Sequence, residues 1–150
     1  MKQTTHCSDF TISRFDFGNR QLFHKAVKLR IKVFVKEQGV HMDDELDGED
    51  ALAYHYLLMH NDKSIATCRL RHTPEGLKIE RMAVRKSWRK QGIGHCLMKK
   101  LLKDLGKSKD NLYLYAQKDA VGFYRKFGFR PVGKLFKDAG IDHYKMIFQQ

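Results

Sequence analysis

The sequence is poor in cysteine and proline and has no long apolar run. Its 150 residues include three cysteines and two prolines, and no apolar stretch approaches the roughly 20 residues of a membrane-spanning helix. Cys7, Cys68 and Cys96 are odd in number and widely spaced, which disfavours a disulfide framework or a zinc ribbon. Residues 1–7 lack the apolar core of a signal peptide. We therefore expect a cytoplasmic protein with reduced thiols, in which Cys68 is buried.

The chain does have a strong positive charge and enough apolar residues for one core. It carries 29 Lys and Arg against 17 Asp and Glu, a formal net charge of +12, with 42% hydrophobic and 11% aromatic residues. This length and composition predict a single folded domain over residues 1–150. The charge predicts an anionic partner, either nucleic acid or a small polyanion such as a nucleotide cofactor. Composition leaves both classes open.

Apolar periodicity and turn residues predict alternating strands and helices. In chain order, we predict a strand over 8–17, a helix over 19–36, an acidic loop over 43–50, strands over 51–60, 64–71 and 77–84, a helix beginning at Ile93, a strand over 111–116, a short helix over 119–127, and a strand pair over 129–136 and 143–148. The three middle strands are expected to be antiparallel neighbours. This order predicts an α/β protein whose single mixed sheet has helices on its faces.

A basic loop with two glycines, placed between a strand and a helix, is the most informative segment. Residues 89–94 read Arg-Lys-Gln-Gly-Ile-Gly. Glycines let the backbone approach a ligand closely, and a helix N-terminus offers unpaired N–H groups and partial positive charge to a phosphate. Arg89 and Lys90 add full charges. The loop matches neither the Rossmann fingerprint nor the Walker motif, because the residues after the second glycine differ from both.

Residues 89–94 resemble the acetyl-CoA pyrophosphate loop, Q/R-x-x-G-x-G/A, of the GCN5-related N-acetyltransferase (GNAT) superfamily. Residues 120–129 resemble its A-x-x-x-Y-x-x-x-G-F segment, and residues 29–38, 47–50 and 139–143 resemble the ElaA/YjcF-like branch of small bacterial acetyltransferases. The resemblance covers nearly the whole chain. It implies the GNAT fold, a mostly antiparallel mixed sheet flanked by helices, and direct transfer of acetyl from acetyl-CoA to a primary amine without a metal.

The resemblance also assigns residues to acetyl-CoA. Backbone groups of the strand that ends at Val84 would pair with pantetheine and polarise the thioester, and the loop would hold the pyrophosphate. Gln117 stands where many members carry an asparagine, so its role is open between a cofactor contact and a polar strand end. The residues implied to contact the cofactor are Met82, Ala83, Val84, Arg89, Lys90, Gln91, Gly92, Ile93, Gly94, His95 and Gln117.

Two residues are candidates for the chemistry. Tyr124 matches the superfamily tyrosine that protonates the departing thiolate. A phenol suits that role because it is neutral at pH 7 and can donate its proton. The alternative is that Tyr124 is a core tyrosine. Glu80 is the candidate general base, because residues 80, 82 and 84 of a regular strand share one face. The alternative for Glu80 is an ion pair with an arginine.

The acceptor side is less defined. Phe34, Glu37 and Gln38 are candidates for the acceptor pocket, and the acidic loop over 43–50 is expected to attract a cationic amine. That loop does not fit a calcium site, because Tyr54 stands at its twelfth position. The acceptor is expected to be a small-molecule or peptide amine. If the chain assembles, we expect a two-fold homodimer.

Three other functions stay open at this point. The first is acetylation of a protein lysine or N-terminus with the same cofactor site. The second is a CoA-binding regulatory module with little turnover. The third, nucleic-acid binding through the basic loop, requires the phosphate motif to be coincidental, so we expect no dedicated nucleic-acid or membrane partner.

Overall fold

The described part of the chain contains one sheet of seven strands and several helices. The computed structural model describes residues 5–109 and 111–149. The strands are β1 (Thr11–Asp16), β2 (Tyr54–His60), β3 (Lys63–Thr73), β4 (Gly76–Val84), β5 (Leu112–Gln117), β6 (Phe129–Asp138) and β7 (Ile141–Phe148). The α-helices are α1 (Arg20–Arg30), α2 (Met42–Glu45), α3 (Ile93–Leu105) and α4 (Val121–Arg125), and a π-helical segment, Ile31–Glu37, continues α1. No helix among the described residues is long and apolar enough to cross a membrane.

The strand order in the sheet is β1-β2-β3-β4-β5-β7-β6. All neighbouring pairs are antiparallel except β4 and β5, which are parallel. The sheet is therefore mixed, as the sequence predicts, and the three middle strands are consecutive antiparallel neighbours. A parallel pair needs a crossover connection, and α3 provides it between β4 and β5.

Element boundaries differ from the predictions by a few residues, most clearly at the first strand and the first helix. The first strand begins at Thr11 because Cys7–Asp9 form a 3-10 turn. The helix predicted over 19–36 begins after Asn19, whose side chain accepts a hydrogen bond from the N–H of Leu22 over 3.2 Å. Its last seven residues are π-helical, and the N–H of Gln38 accordingly bonds to the carbonyl of Val33, five residues earlier.

The two faces of the sheet are covered by different helices. Buried residues of α3, among them Leu97, Met98 and Leu101, pack with Tyr124 of α4 against one face, which we call the α3 face. Leu29 and Val33, from α1 and the π-helical segment, pack against the other, the α1 face. Because both faces of the sheet are covered, consecutive residues in the middle of β2 and β3 are buried.

A β-bulge in β4 overturns one prediction from the sequence. Ala83 pairs with Thr67 and Glu80 pairs with Arg69, so three steps along β4 match two along β3, and Arg81 has a positive φ of 56°. The extra residue of a bulge shifts the alternation of side chains. Glu80 therefore lies on the α1 face, while Met82 and Val84 pack on the α3 face. The prediction that residues 80, 82 and 84 share one face is wrong.

The parallel pairing of β4 with β5 is short. Only Leu77–Ile79 of β4 pair with Leu112–Leu114 of β5. Beyond these pairs the two strands separate, and the described residues of β5 instead continue along β7 as far as the Gln117–His143 pair. The remainder of β4 thus has a backbone edge with no partner strand on that side among the described residues. The separation of β4 and β5, which we call the split, leaves a gap that connects the α1 face of the sheet with the α3 face.

The cysteines correct a second prediction. Cys7 and Cys96 form a disulfide, with their Cα atoms 5.4 Å apart. The bond joins the segment before β1 to the first turn of α3. Cys68 is free and buried, as predicted, and burial raises the pKa of its thiol. The expectation of reduced thiols thus holds for Cys68 and fails for the other two, because the fold brings together residues that are far apart in the sequence.

Candidate functional site

A cleft of about 790 Å³ follows the split between β4 and β5. It extends from the N-terminus of α3 on one side to the C-terminal end of the π-helical segment and the β6–β7 turn on the other. Most of the residues that the sequence analysis singled out line it. They are Phe34, Gln38, Glu80, Met82, Val84, Arg89, Lys90, Gly92, Ile93, Gly94, His95, Gln117 and Tyr124.

Three of the singled-out residues do not line the cleft. Ala83 is buried on the α1 face because of the bulge. The side-chain amide of Gln91 donates to the carbonyl of Ser87 over 3.1 Å. The carboxylate of Glu37 is bound to Arg89. The side chains of these three residues therefore contact other parts of the protein rather than the cleft.

The N-terminus of α3 lies at one end of the cleft. Gly92 precedes the helix with a φ of 80°, which favours glycine. The first intrahelical hydrogen bond runs from the N–H of Cys96 to the carbonyl of Gly92 over 3.1 Å, so the N–H groups of residues 93–95 have no intrahelical partner. A Cβ on Gly94 would lie 3.1 Å from Cζ of Phe123. Both glycines thus keep the helix start short of side chains, as a phosphate cradle requires.

Arg89 is anchored by two partners rather than free in the cleft. Its terminal nitrogens donate to both carboxylate oxygens of Glu37 over 2.8 and 2.9 Å, and its Nε donates to the carbonyl of Val84 over 2.9 Å. This two-pronged contact ties the π-helical segment to the end of β4. Lys90, with a positive φ of 62°, is the cationic side chain of this loop for which no ion pair is found among the described residues.

Tyr124 reaches the cleft from the α3 face. Its side chain is 7% exposed and packs edge-on against the rings of Phe123 and Phe129. Burial, with a smaller contribution from Cys68, raises the pKa of its phenol. The hydroxyl is therefore neutral and can donate a hydrogen bond, which is the protonation state that the predicted acid role needs.

Glu80 lies in a group of cations on the α1 face. Its carboxylate accepts hydrogen bonds from Arg69 and Arg71 and lies 3.1 Å from Nζ of Lys78. Burial alone would raise the pKa of Glu80, but the hydrogen bond from Arg71 and the charges of Arg69 and Lys78 lower it to about 2. A carboxylate this acidic accepts a proton poorly. The geometry favours the alternative considered from the sequence, an ion pair with arginine.

The acidic loop is largely neutralised by arginine. Glu45 and Asp50 bind Arg30, and Asp47 binds Arg69 over 2.8 and 2.9 Å. These contacts hold the pKa of Asp47 and of Asp50 below its usual range despite burial. The expected attraction for a cationic amine is weakened accordingly. Among the described residues, no group of three or more His, Cys, Asp or Glu side chains is placed to hold a metal ion.

The α1 face of the cleft contains residues that the sequence analysis missed as site residues. Tyr115 and His143 line it, and Gln117 donates through Nε2 to Oε1 of Gln38 over 2.9 Å. Because directly paired residues in a sheet point to one side, the Gln117–His143 pair places both side chains on this face. Alternation along β5 indicates that Tyr115 and Gln117 share a face, but only the register with β7 shows that His143 lies on the same face.

Comparisons with known proteins agree with this architecture. A family model described as an acetyltransferase (GNAT) domain matches residues 24–149. An N-acetyltransferase of Bacillus subtilis, YjcF, is 38% identical over 133 residues, which cover 86% of this chain and 94% of that protein. ElaA of Escherichia coli is 30% identical over 151 residues, covering 96% and 93% of the two chains.

Solved structures extend the comparison to the fold. The crystal structure of Escherichia coli ElaA matches with a TM-score of 0.84 at 28% identity and covers 93% of this chain and 99% of that one. A GNAT family acetyltransferase from Elizabethkingia anophelis, with acetyl-CoA bound, matches with a TM-score of 0.61 at 20% identity over 93% and 95% of the chains. The chain therefore belongs to the GNAT acetyltransferase family, in the branch of small bacterial acetyltransferases that includes ElaA and YjcF.

Proposed function

We propose that this protein is an N-acetyltransferase that transfers acetyl from acetyl-CoA directly to a primary amine while both are bound. The observation that carries the proposal is the split between β4 and β5. In the cleft along this split, the N-terminus of α3 and the neutral Tyr124 lie on the α3 face, and a polar surface lies on the α1 face. A donor bound from the first face and an acceptor bound from the second would meet at the split.

The groups along the cleft fit the parts of acetyl-CoA. The N–H groups of residues 93–95 and the side chain of Lys90 would hold the pyrophosphate. The β4 edge between Glu80 and Val84, which lacks a partner strand on that side, would pair with the amides of the pantetheine arm. A cleft of about 790 Å³ is in the range of cofactor sites. The Elizabethkingia anophelis structure provides a protein of this fold with acetyl-CoA bound.

Bound acetyl-CoA supplies the activated acyl group as a thioester. The chain's own contribution is to position this group, to stabilise negative charge and to supply a proton. A backbone N–H of β4 at the split would donate to the carbonyl oxygen as negative charge develops there. The hydroxyl of Tyr124, which burial keeps protonated, would donate its proton to the departing thiolate.

Calorimetry with acetyl-CoA tests the donor, and two glycine variants localise the site. Gly92→Val places a side chain at the phosphate cradle, and we expect at least a tenfold loss of affinity. Gly133→Val is the matched control, since Gly133 also has a positive φ (76°) and open space around its Cα but does not line the cleft. Equal losses in both variants, or no binding by the wild type, would contradict the proposed cofactor site.

A screen of primary amines, with released CoA thiol as the readout, then tests the reaction. Turnover that needs both acetyl-CoA and an amine supports the proposal. Activity confined to peptides would select the protein acetyltransferase among the functions left open by the sequence. Tight acetyl-CoA binding with no turnover on small amines, lysine peptides or N-terminal peptides would favour the CoA-binding module instead.

A further inference from the structure

The proposed reaction requires a group that removes a proton from the acceptor amine, and Glu80 is poorly suited to that task. An alkylamine is protonated at neutral pH and becomes nucleophilic only when it loses that proton. The group that removes it must lie on the α1 face of the cleft, where the acceptor would bind. His143 lies on this face, lines the cleft and is 8% exposed.

Hydrogen bonding fixes the tautomer of the neutral His143 ring. Its Nδ1 lies 2.6 Å from the carbonyl oxygen of Ile141. A carbonyl oxygen only accepts, so Nδ1 carries the hydrogen and the neutral ring has its lone pair on Nε2. No protein group among the described residues hydrogen-bonds Nε2. This tautomer is the one that can accept a proton from a bound ligand.

Packing holds the ring in place. His143 stacks on Phe136 of β6 with the ring centroids 6.0 Å apart and the planes 26° from parallel. On β5 its pairing partner is Gln117, which is neutral and is bound to Gln38. The ring thus has one fixed hydrogen bond, one stacked neighbour and one nitrogen without a hydrogen-bond partner among the described residues, in a residue that lines the cleft. Such fixed orientation is what a general base needs.

The other groups on this face are less suitable. Lys78 is held by Glu80 and by the ring of Tyr115, 3.9 Å from its centroid, and burial raises the pKa of the Tyr115 phenol. Asp138 is exposed at the turn. The titratable or charged groups on the neighbouring strand positions or on this side of the cleft are Asp142 and Lys145 on β7, Lys137 and Asp138 on β6, Tyr115 on β5, and Lys78 and Glu80 on β4.

We propose that His143 is the general base of the acetyl transfer, an inference that rests on the proposed function. Nε2 of the neutral ring accepts one proton from the acceptor ammonium, and the ring becomes an imidazolium. The freed amine then forms the new C–N bond as the C–S bond of the thioester breaks. The thiolate takes the proton of Tyr124, and the second proton of the acylated nitrogen passes through water to the Tyr124 oxygen, which restores the phenol. The proton on His143 passes to solvent when the amide product leaves. Atoms and charge balance with no further reactant.

The test compares His143→Gln with His55→Gln. His55 is a matched control because it is also buried, bonds through Nε2 to the backbone carbonyl of Asp50 over 3.1 Å and lies outside the cleft lining. We expect His143→Gln to lower kcat/KM by about 100-fold, in the range of general-base effects, with acetyl-CoA affinity unchanged. His55→Gln should retain its turnover.

Two readouts separate a base from a structural residue. The first is the pH dependence of the defect with an alkylamine: the loss of kcat/KM in His143→Gln should shrink at high pH, because more of the amine then arrives already deprotonated. The second uses benzylamine, which is protonated at neutral pH, and aniline, which is not. The His143→Gln defect should be large for benzylamine and within about threefold for aniline.

Equal defects with both amines, or a defect that does not shrink at high pH, would overturn the assignment of His143. Turnover by the wild type and by His55→Gln reports on the proposed function separately. If the wild type acetylates no amine at all, the proposed function fails and the assignment of His143 fails with it.

Discussion

Arg69 on β3 lies directly opposite Glu80 on β4, and its Nε donates to Oε2 of Glu80 over 2.8 Å. The arginine is fully buried, and Glu80 is 8% exposed. Arg69 also binds Asp47 and Asp50, so one guanidinium joins the acidic loop to the central strands. The contact makes Glu80 a counter-ion that stabilises the α1 face of the cleft.

This ion pair predicts how stability depends on pH. The pKa of Glu80 is about 2 in the folded protein against 4.5 for the free side chain. Between these values the unfolded chain binds more protons, so stability present above pH 4.5 is lost as the pH falls toward 2. Asp47 and Asp50 act in the same direction. Chemical denaturation at pH 7, 4.5 and 3 should show this progressive loss.

Glu80→Gln should lower the free energy of unfolding at pH 7 by about 3 kcal/mol, because it removes the one buried carboxylate that Arg69, Arg71 and Lys78 share, and should flatten the pH dependence. Glu75→Gln is the control. Glu75 also pairs with a lysine, Lys145, but its side chain is 52% exposed, so its loss should change stability by less than about 1 kcal/mol. Equal effects of the two substitutions would contradict the counter-ion role.

Local patterns in the sequence were sufficient to predict the order of elements, the glycine loop before α3 and the helix that contains Tyr124. The side of the sheet on which Glu80 lies was not predictable in this way. One extra residue at Arg81 exchanges the faces of everything beyond it, and no apolar pattern marks the bulge. Strand alternation beyond a bulge is therefore weak evidence for a catalytic residue.

The contacts of Cys7 and His143 were hidden for a different reason. Cys7 meets Cys96 across 89 residues of sequence, and His143 meets Gln117 through a register between non-consecutive strands. Such contacts depend on topology rather than on neighbouring residues. The sequence identified the residue types present, but only the fold determines which of them meet.

Tyr124→Phe should lower kcat about 100-fold, as expected for loss of an acid on the leaving group, and leave acetyl-CoA affinity within about twofold. Steady-state kinetics and calorimetry measure the two effects. Tyr56→Phe is the matched control: this buried tyrosine donates to Asp104 over 3.0 Å and does not line the cleft. It should lose stability but retain kcat. Normal turnover by Tyr124→Phe would restore the alternative of a core tyrosine.

Arg89→Lys should weaken acetyl-CoA binding about tenfold, because a lysine cannot both contact the two oxygens of Glu37 and donate to the carbonyl of Val84. Glu37→Gln should weaken it about threefold, since one acceptor oxygen remains. Calorimetry measures both, and stability should change by less than about 1 kcal/mol for this partly exposed pair. Tighter binding by Glu37→Gln would show instead that Glu37 competes with the phosphates for Arg89.

The disulfide predicts a thiol count and a dependence on reductant. Denatured, unreduced protein should react with one equivalent of a thiol reagent, from Cys68. Cys7→Ser should lower stability by about 2–4 kcal/mol, because a cross-link over a long loop restricts the unfolded chain, which is roughly 5–15 °C in Tm for a chain of this size. Dithiothreitol should lower the Tm of the wild type toward that of Cys7→Ser and leave the variant unchanged. Three reactive thiols in the denatured wild type, with a Tm insensitive to reductant, would instead support the reduced state expected from the sequence.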